Sequence, residues 1–157
     1  MTTRQLAEML SQYEAGLETA LVLLRQLDAA ARRQQSAASD RRLDQFSVES
    51  DERDRLTRSL VTVDQQLAPL RTVLNAHTAA MTDLPAFVRV RILREETASL
   101  VQSILAIDGE SIRALADAEL ARRAELAGLD QGGATLGAYR RALTTPVGSA
   151  TRLNQRG

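Results

Sequence analysis

Leu6, Leu10, Tyr13, Leu17, Ala20, Leu21, Leu24, Leu27 and Ala31 recur at intervals of three and four. That spacing lays one apolar stripe along one helix and predicts a first helix over residues 3–34. Its polar face runs from Glu8, Glu14 and Glu18 to Arg25, Arg32 and Arg33, the order that the helix dipole favours. "QQSAASD" then reads as a turn or a weak helical patch. A second helix starts either after Asp40 or at "SDERDRL", where Ser50 is a cap and Asp51 and Glu52 fill the first turn. From there Leu56, Leu60, Val63, Leu67, Leu70, Leu74, His77 and Met81 keep a heptad spacing. The apolar phase is unchanged across Pro69, which predicts a kink and not a break.

"TDLPAF" marks the next boundary. Pro85 suits the first turn of a third helix, and Thr82 or Asp83 can cap it. Val88, Ile92, Leu93, Leu100, Val101, Ile104, Leu105, Ile107, Ile112 and Leu115 follow, with a phase slip near Gly109. The pattern runs on to about Leu143. Helices of about 30 residues span about 45 Å, and this third one is nearly twice as long. Its distal part keeps a row of Leu126, Leu129, Gly132, Leu136, Tyr139 and Leu143. An amphipathic helix of that kind needs something to cover its apolar face. The fold expected is all-α: an antiparallel bundle of three long helices with coiled-coil character, the third extending beyond the first two. Residues 1–145 form a single domain, and 146–157 a disordered Pro/Gly/Ser-containing tail.

Composition narrows the chemistry. Aromatic residues make up 3% and Trp is absent, while Leu and Ala supply most of the apolar 44%, which suits helices and not sheets. The absence of Cys removes disulfide and thiol chemistry. One histidine, His77, leaves little scope for a metal site and is read as a core or capping residue. A formal net charge of zero argues against nucleic acid and anionic membranes as partners. No apolar stretch is long enough to span a bilayer, and "MTTRQLAEML" lacks a signal-peptide core, so a cytoplasmic location is expected. Carboxylates are plentiful but fall on outer helix faces. Arg91 and Arg94 of "VRVRILR" also read as solvated surface. No enzyme activity, cofactor or metal is expected.

"SILAIDGESIRALADAELARRAELAGLDQGGATLGAYRRALTTP" resembles the last helix of the flagellar type III export chaperones of the hook-associated proteins, the FlgN-like family. The residues that carry the likeness are Ile104, Leu105 and Asp108 of an "ILxxD" stretch, then Leu126, Leu129, Leu136, Ala138, Tyr139 and Arg140. The likeness covers residues 104–144 as pattern and the rest as architecture. It departs at Gly132 and Gly133, where the family carries basic or long polar residues. The resemblance implies a small helical chaperone of bacterial flagellum biogenesis. Its client would be the helical terminal region of a hook–filament junction protein, kept unassembled until type III secretion and delivered to the export apparatus. Leu126, Leu129, Gly132, Leu136, Tyr139 and Leu143 are the partner-binding candidates.

Alternative readings are a structural coiled-coil homodimer, in which the third helix pairs with its own copy, and a helical adaptor with no carrier role. The glycines of "GLDQGGATLGAY" also admit two readings. Gly128, Gly132, Gly133 and Gly137 end the helix, each costing about 1 kcal/mol relative to Ala. Otherwise the pairs four apart line faces that let a partner backbone come close.

Overall fold

The computed structural model describes the backbone of residues 1–144 and the side chains of residues 1–128. It is all-helical, with no strand among the described residues. The order is α1 (Thr3–Ser39), α2 (Leu43–Ala76), a one-turn α3 (Thr78–Met81) and α4 (Pro85–Thr144). The chain divides into two compact units, the first Met1–Leu115 and the second beginning at Ala116.

α1 opens on a reciprocal cap. The Thr2 hydroxyl accepts from the Gln5 backbone N–H at 3.2 Å, and the Gln5 side-chain oxygen accepts from the Thr2 N–H at 2.8 Å. Two donors that a helix start leaves unpaired are satisfied together. The predicted stripe is its buried face, from Leu6 to Ala31. The helix continues past residue 34, so the expected patch at "QQSAASD" is helical to Ser39. The reason is packing: Gln34, Ala37 and Ala38 are buried and continue the stripe.

The turn that follows is Asp40–Arg42. Arg42 N–H donates to Ala37 O at 2.8 Å and Arg41 N–H to Ala38 O at 3.3 Å, while Arg41 takes a φ of 56°. This is the Schellman arrangement, in which glycine usually holds the left-handed position. Here an arginine holds it. α2 therefore starts at Leu43, close to the earlier of the two expected positions. Ser50 caps nothing; its hydroxyl accepts from Gln34 Nε2 at 2.6 Å.

α2 runs unbroken through Pro69, but it stops at Ala76 and not at Met81. His77 is its C-cap, and its Nδ1 donates to Val73 O at 2.9 Å. α3 then carries Met81 into the core at 3% exposure. α4 begins at Pro85 as expected, although the Thr82 hydroxyl donates back to Ala79 O and so serves the preceding turn.

Two apolar clusters fill the first unit. One joins Leu10, Tyr13, Leu17, Leu67, Leu74, Met81 and Val90; the other joins Leu24, Leu27, Ala31, Leu56, Ile104 and Ile107. Each draws on α1, α2 and α4. The expected apolar set on α4 is only partly internal: Ile104 and Ile107 are buried, but Val88, Ile92, Val101, Leu105 and Ile112 are exposed. The backbone of α4 stays helical through Gly128, Gly132, Gly133 and Gly137 to Thr144. The reading in which those glycines end the helix is thereby corrected. Glycine keeps its backbone N–H and C=O in the helix ladder, so it weakens the helix without dictating a stop. The expected tail, from 146 on, lies outside the described residues.

Candidate functional site

A polar layer ties the helices of the first unit near the α1–α2 turn. The Arg53 guanidinium on α2 donates to both carboxylate oxygens of Asp108 on α4, at 2.7 and 2.8 Å, and to Gln34 Oε1 on α1 at 2.6 Å. Gln34 is 4% exposed and passes the network on to Ser50. Beside it Arg33 Nε donates to Glu49 Oε1 at 2.9 Å, and the hydrogen bond holds the Arg33 pKa above its ordinary value. Planar, two-pronged pairing such as that of Arg53 with Asp108 is strong and directional. Asp108 belongs to the "ILxxD" stretch. Within this chain Ile104 is core, Asp108 binds Arg53, and Leu105 is 65% exposed.

Further contacts join α1 and α4. Arg89 pairs with Glu14 at 2.6 Å, Arg25 with Glu96 at 3.5 Å, and Ser103 donates to Asp28 at 2.8 Å; Gln35 bonds Glu110. Burial pushes the Asp28 carboxyl up, but hydrogen bonds from Arg32 and Ser103 and the Arg32 charge outweigh it and hold the pKa below its usual value. Numbers rise together in α1 and α4. Between α1 and α2 they run oppositely: Gln34 meets Ser50 and Tyr13 meets Arg71.

Between the two apolar clusters lies a half-open groove of about 530 Å³. Leu17, Ala20 and Leu24 come from α1, Leu60, Val61 and Leu67 from α2, and Thr97 and Val101 from α4. Asp64, Gln65 and Arg71 edge it. Arg71 is held charged by hydrogen bonds to Asp64 and Tyr13. Sequence reasoning missed this groove. Its one signal was Ala20, a small residue in a stripe of leucines.

Of the six partner-binding candidates, all lie on the single helix α4. Leu126 is 46% exposed, and the space where a Cβ on nearby Gly128 would sit has no heavy atom within 4 Å. The side chains of Leu129, Gly132, Leu136, Tyr139 and Leu143 lie outside the described residues. By register the six keep steps of three and four and share one helical face. Upstream, Glu119 accepts from Arg122 at 2.7 Å and from Arg123 at 3.1 Å. The Arg122 hydrogen bond leads in lowering its carboxyl pKa to about 2.

Among the described residues no group of three or more His, Asp or Glu could hold a metal ion. No described helix is long and apolar enough to cross a membrane. Compared with protein-family models, with curated proteins and with solved structures, the chain has no match.

Proposed function

We propose that this chain is a cytoplasmic export chaperone. Its distal α4 row holds the helical terminal region of a flagellar hook–filament junction protein and keeps it unassembled until type III secretion. The observation that carries this reading is the continuity of α4. A 60-residue helix, against 37 and 34 for α1 and α2, presents Leu126, Leu129, Gly132, Leu136, Tyr139 and Leu143 in one register, beginning at an exposed leucine. The resemblance over residues 104–144 supplies the client class. In this reading α1, α2 and α4 form an antiparallel bundle of three long helices, which the opposed numbering of α1–α2 contacts and the matched numbering of α1–α4 contacts support. The role is binding and hand-over, without catalysis, cofactor or nucleic acid.

Glycines suit such a carrier. Each softens the helix by about 1 kcal/mol relative to Ala, so ordering on the client moderates affinity and eases release. A buried leucine or tyrosine contributes about 1.5–3 kcal/mol, so Leu136→Ala and Tyr139→Ala should each weaken client binding about tenfold or more, without lowering the melting of the first unit. Gly132→Ala separates softness from close approach: tighter binding favours softness, and weaker binding with more helix favours a close client backbone. Titration calorimetry against a junction-protein terminal peptide reads all three. Unchanged affinity in every variant would move the client to another surface and sink the reading.

A further inference from the structure

Two cavities of the first unit meet at one arginine. The half-open groove of about 530 Å³ takes residues from Leu60 to Arg71 of α2, with Thr97 and Val101 of α4. A smaller cavity of about 90 Å³ takes Arg71, Leu74 and Asn75 of α2, with Phe87, Val90 and Arg94 of α4. Arg71 lines both. Val90, Arg94, Thr97 and Val101 are spaced by four, three and four, so they share one face of α4. On that face Arg94 stands between the small cavity and the groove. Two guanidiniums, one from α2 and one from α4, thus mark one end of an apolar trough.

The charges at that end do not cancel. Arg71 donates through Nη2 to Asp64 and through Nε to the Tyr13 hydroxyl, and its Nη1 has no partner among the described residues. Arg94 makes no ion pair and no side-chain hydrogen bond among the described residues. Among those residues Asp64 is the one carboxylate that lines either cavity. Against two guanidiniums it leaves one positive charge. The rest of the groove is mainly apolar. Leu17, Ala20 and Leu24 of α1 floor it, and Val61 and Val101, at 50% and 40% exposure, wall it.

A cleft of this size, apolar but for a few polar groups gathered in one place, is the form that holds a small organic ligand. The apolar floor calls for a hydrocarbon. The surplus guanidinium calls for an anion, and a carboxylate matches its planar fork. From Arg94 to Val101 α4 rises about 10 Å, close to the length of an extended ten-carbon chain. We propose that the groove binds a free single-chain carboxylate, a fatty-acid monomer. Its hydrocarbon lies along Leu17, Ala20 and Leu24, and its carboxylate meets Arg94 and the open Nη1 of Arg71. The floor belongs to α1, between α2 and α4, so a chain must leave any bilayer to reach it. Every group lies in the first unit, so the site is independent of the client reading, which uses the distal row of α4.

The probe is decanoate below its micelle concentration, titrated calorimetrically into the full chain. Saturable binding of one equivalent is expected. Decyltrimethylammonium has the same chain and the opposite charge, and should bind more weakly by about tenfold or more. Arg94→Gln changes an exposed side chain. It should weaken decanoate binding about tenfold and leave the affinity for decanol within about twofold. Ala20→Leu grows into the groove and should abolish binding of both; circular dichroism checks that each variant folds. Amide NMR shifts caused by decanoate should fall on residues 17–24, 60–71 and 94–101. No saturable binding, equal affinity for the two head-group charges, unchanged decanoate affinity in Arg94→Gln, or shifts on another face would overturn the proposal. So would displacement of decanoate by the junction-protein terminal peptide, which would give the groove to a peptide. Binding to anionic vesicles that Arg94→Gln abolishes, without binding of free decanoate, would give Arg94 to a membrane surface and would equally overturn it. Leu136→Ala and Tyr139→Ala should leave decanoate affinity unchanged, so this reading and the client reading fail separately.

Discussion

Gly16 of α1 packs directly against Leu67 of α2. A Cβ there would meet the Leu67 side chain within contact distance at Cδ2, and would lie 3.1 Å from Cγ and 3.3 Å from Cδ1. Leu67 is 5% exposed and belongs to an apolar cluster shared by all four helices. Gly16→Ala therefore sets two effects against each other. Helix propensity favours alanine by about 1 kcal/mol. Overpacking against Leu67 costs about 1–3 kcal/mol, since rotating the leucine end clears Cδ2 but leaves Cγ close. The net expectation is a destabilisation of about 1 kcal/mol. Leu67→Ala alone should cost about 2–5 kcal/mol. It removes all three atoms that the new methyl would meet. In that background Gly16→Ala should stabilise by about 1 kcal/mol, so the same substitution reverses sign and the coupling is about 2 kcal/mol. Urea unfolding followed by circular dichroism measures the cycle, provided the slopes agree among the four proteins. Effects that add within about 0.5 kcal/mol would show that α1 and α2 do not approach at this point.

Leu24→Ala, at 3% exposure in the second cluster, should destabilise by about 2–5 kcal/mol in the same assay; a change near zero would place that stripe on the surface. Asp108→Asn leaves Arg53 without its carboxylate and should cost about 1–3 kcal/mol, an effect that Arg53→Gln in the same chain should largely absorb. Gly128→Ala meets open space and should raise helicity, with a gain of about 1 kcal/mol; lower helicity would mean an unrecognised neighbour. The carboxyl of Glu119 is held at about 2, below its ordinary 4.5. A depressed folded value means that its support of the helix is fully present above pH 4.5 and fades as pH falls through about 2. An NMR titration midpoint near 4.5 would show that the Arg122 pair does not form in solution.

Helices were readable from this sequence because a three-four apolar spacing has one structural meaning. The stripe from Leu6 to Ala31 and the start at Pro85 follow from it directly. Ends were harder. Ser50 with two acids after it has the form of a cap, but a hydroxyl serves a neighbouring helix equally well, and Gln34 claims it. The turn at Asp40–Arg42 was readable only as one of two positions, because an arginine, and not a glycine, takes the left-handed position at residue 41. The polar layer was not visible either: Arg53 and Asp108 are 55 positions apart, and no local pattern announces a pair at that distance. For the distal row, the register of its residues was readable, and it is register that the helix through Thr144 preserves.

The contacts of the first unit also carry an order in time. α1 and α2 are joined by a turn of three residues, and their polar contacts begin at a separation of 12, as in Gln34 and Phe46. Those between α1 and α4, as in Arg89 and Glu14, close loops of 75. Closing the longer loop costs about 1.6 kcal/mol more in chain entropy. In the proposed arrangement the α1–α2 hairpin should therefore assemble first and α4 should dock last. Substitutions in the hairpin near residues 37–50 should slow refolding, whereas those in α4 near Ile104 should chiefly hasten unfolding. A chain emerging from the ribosome would hold a finished hairpin while the long helix that covers it was still being made.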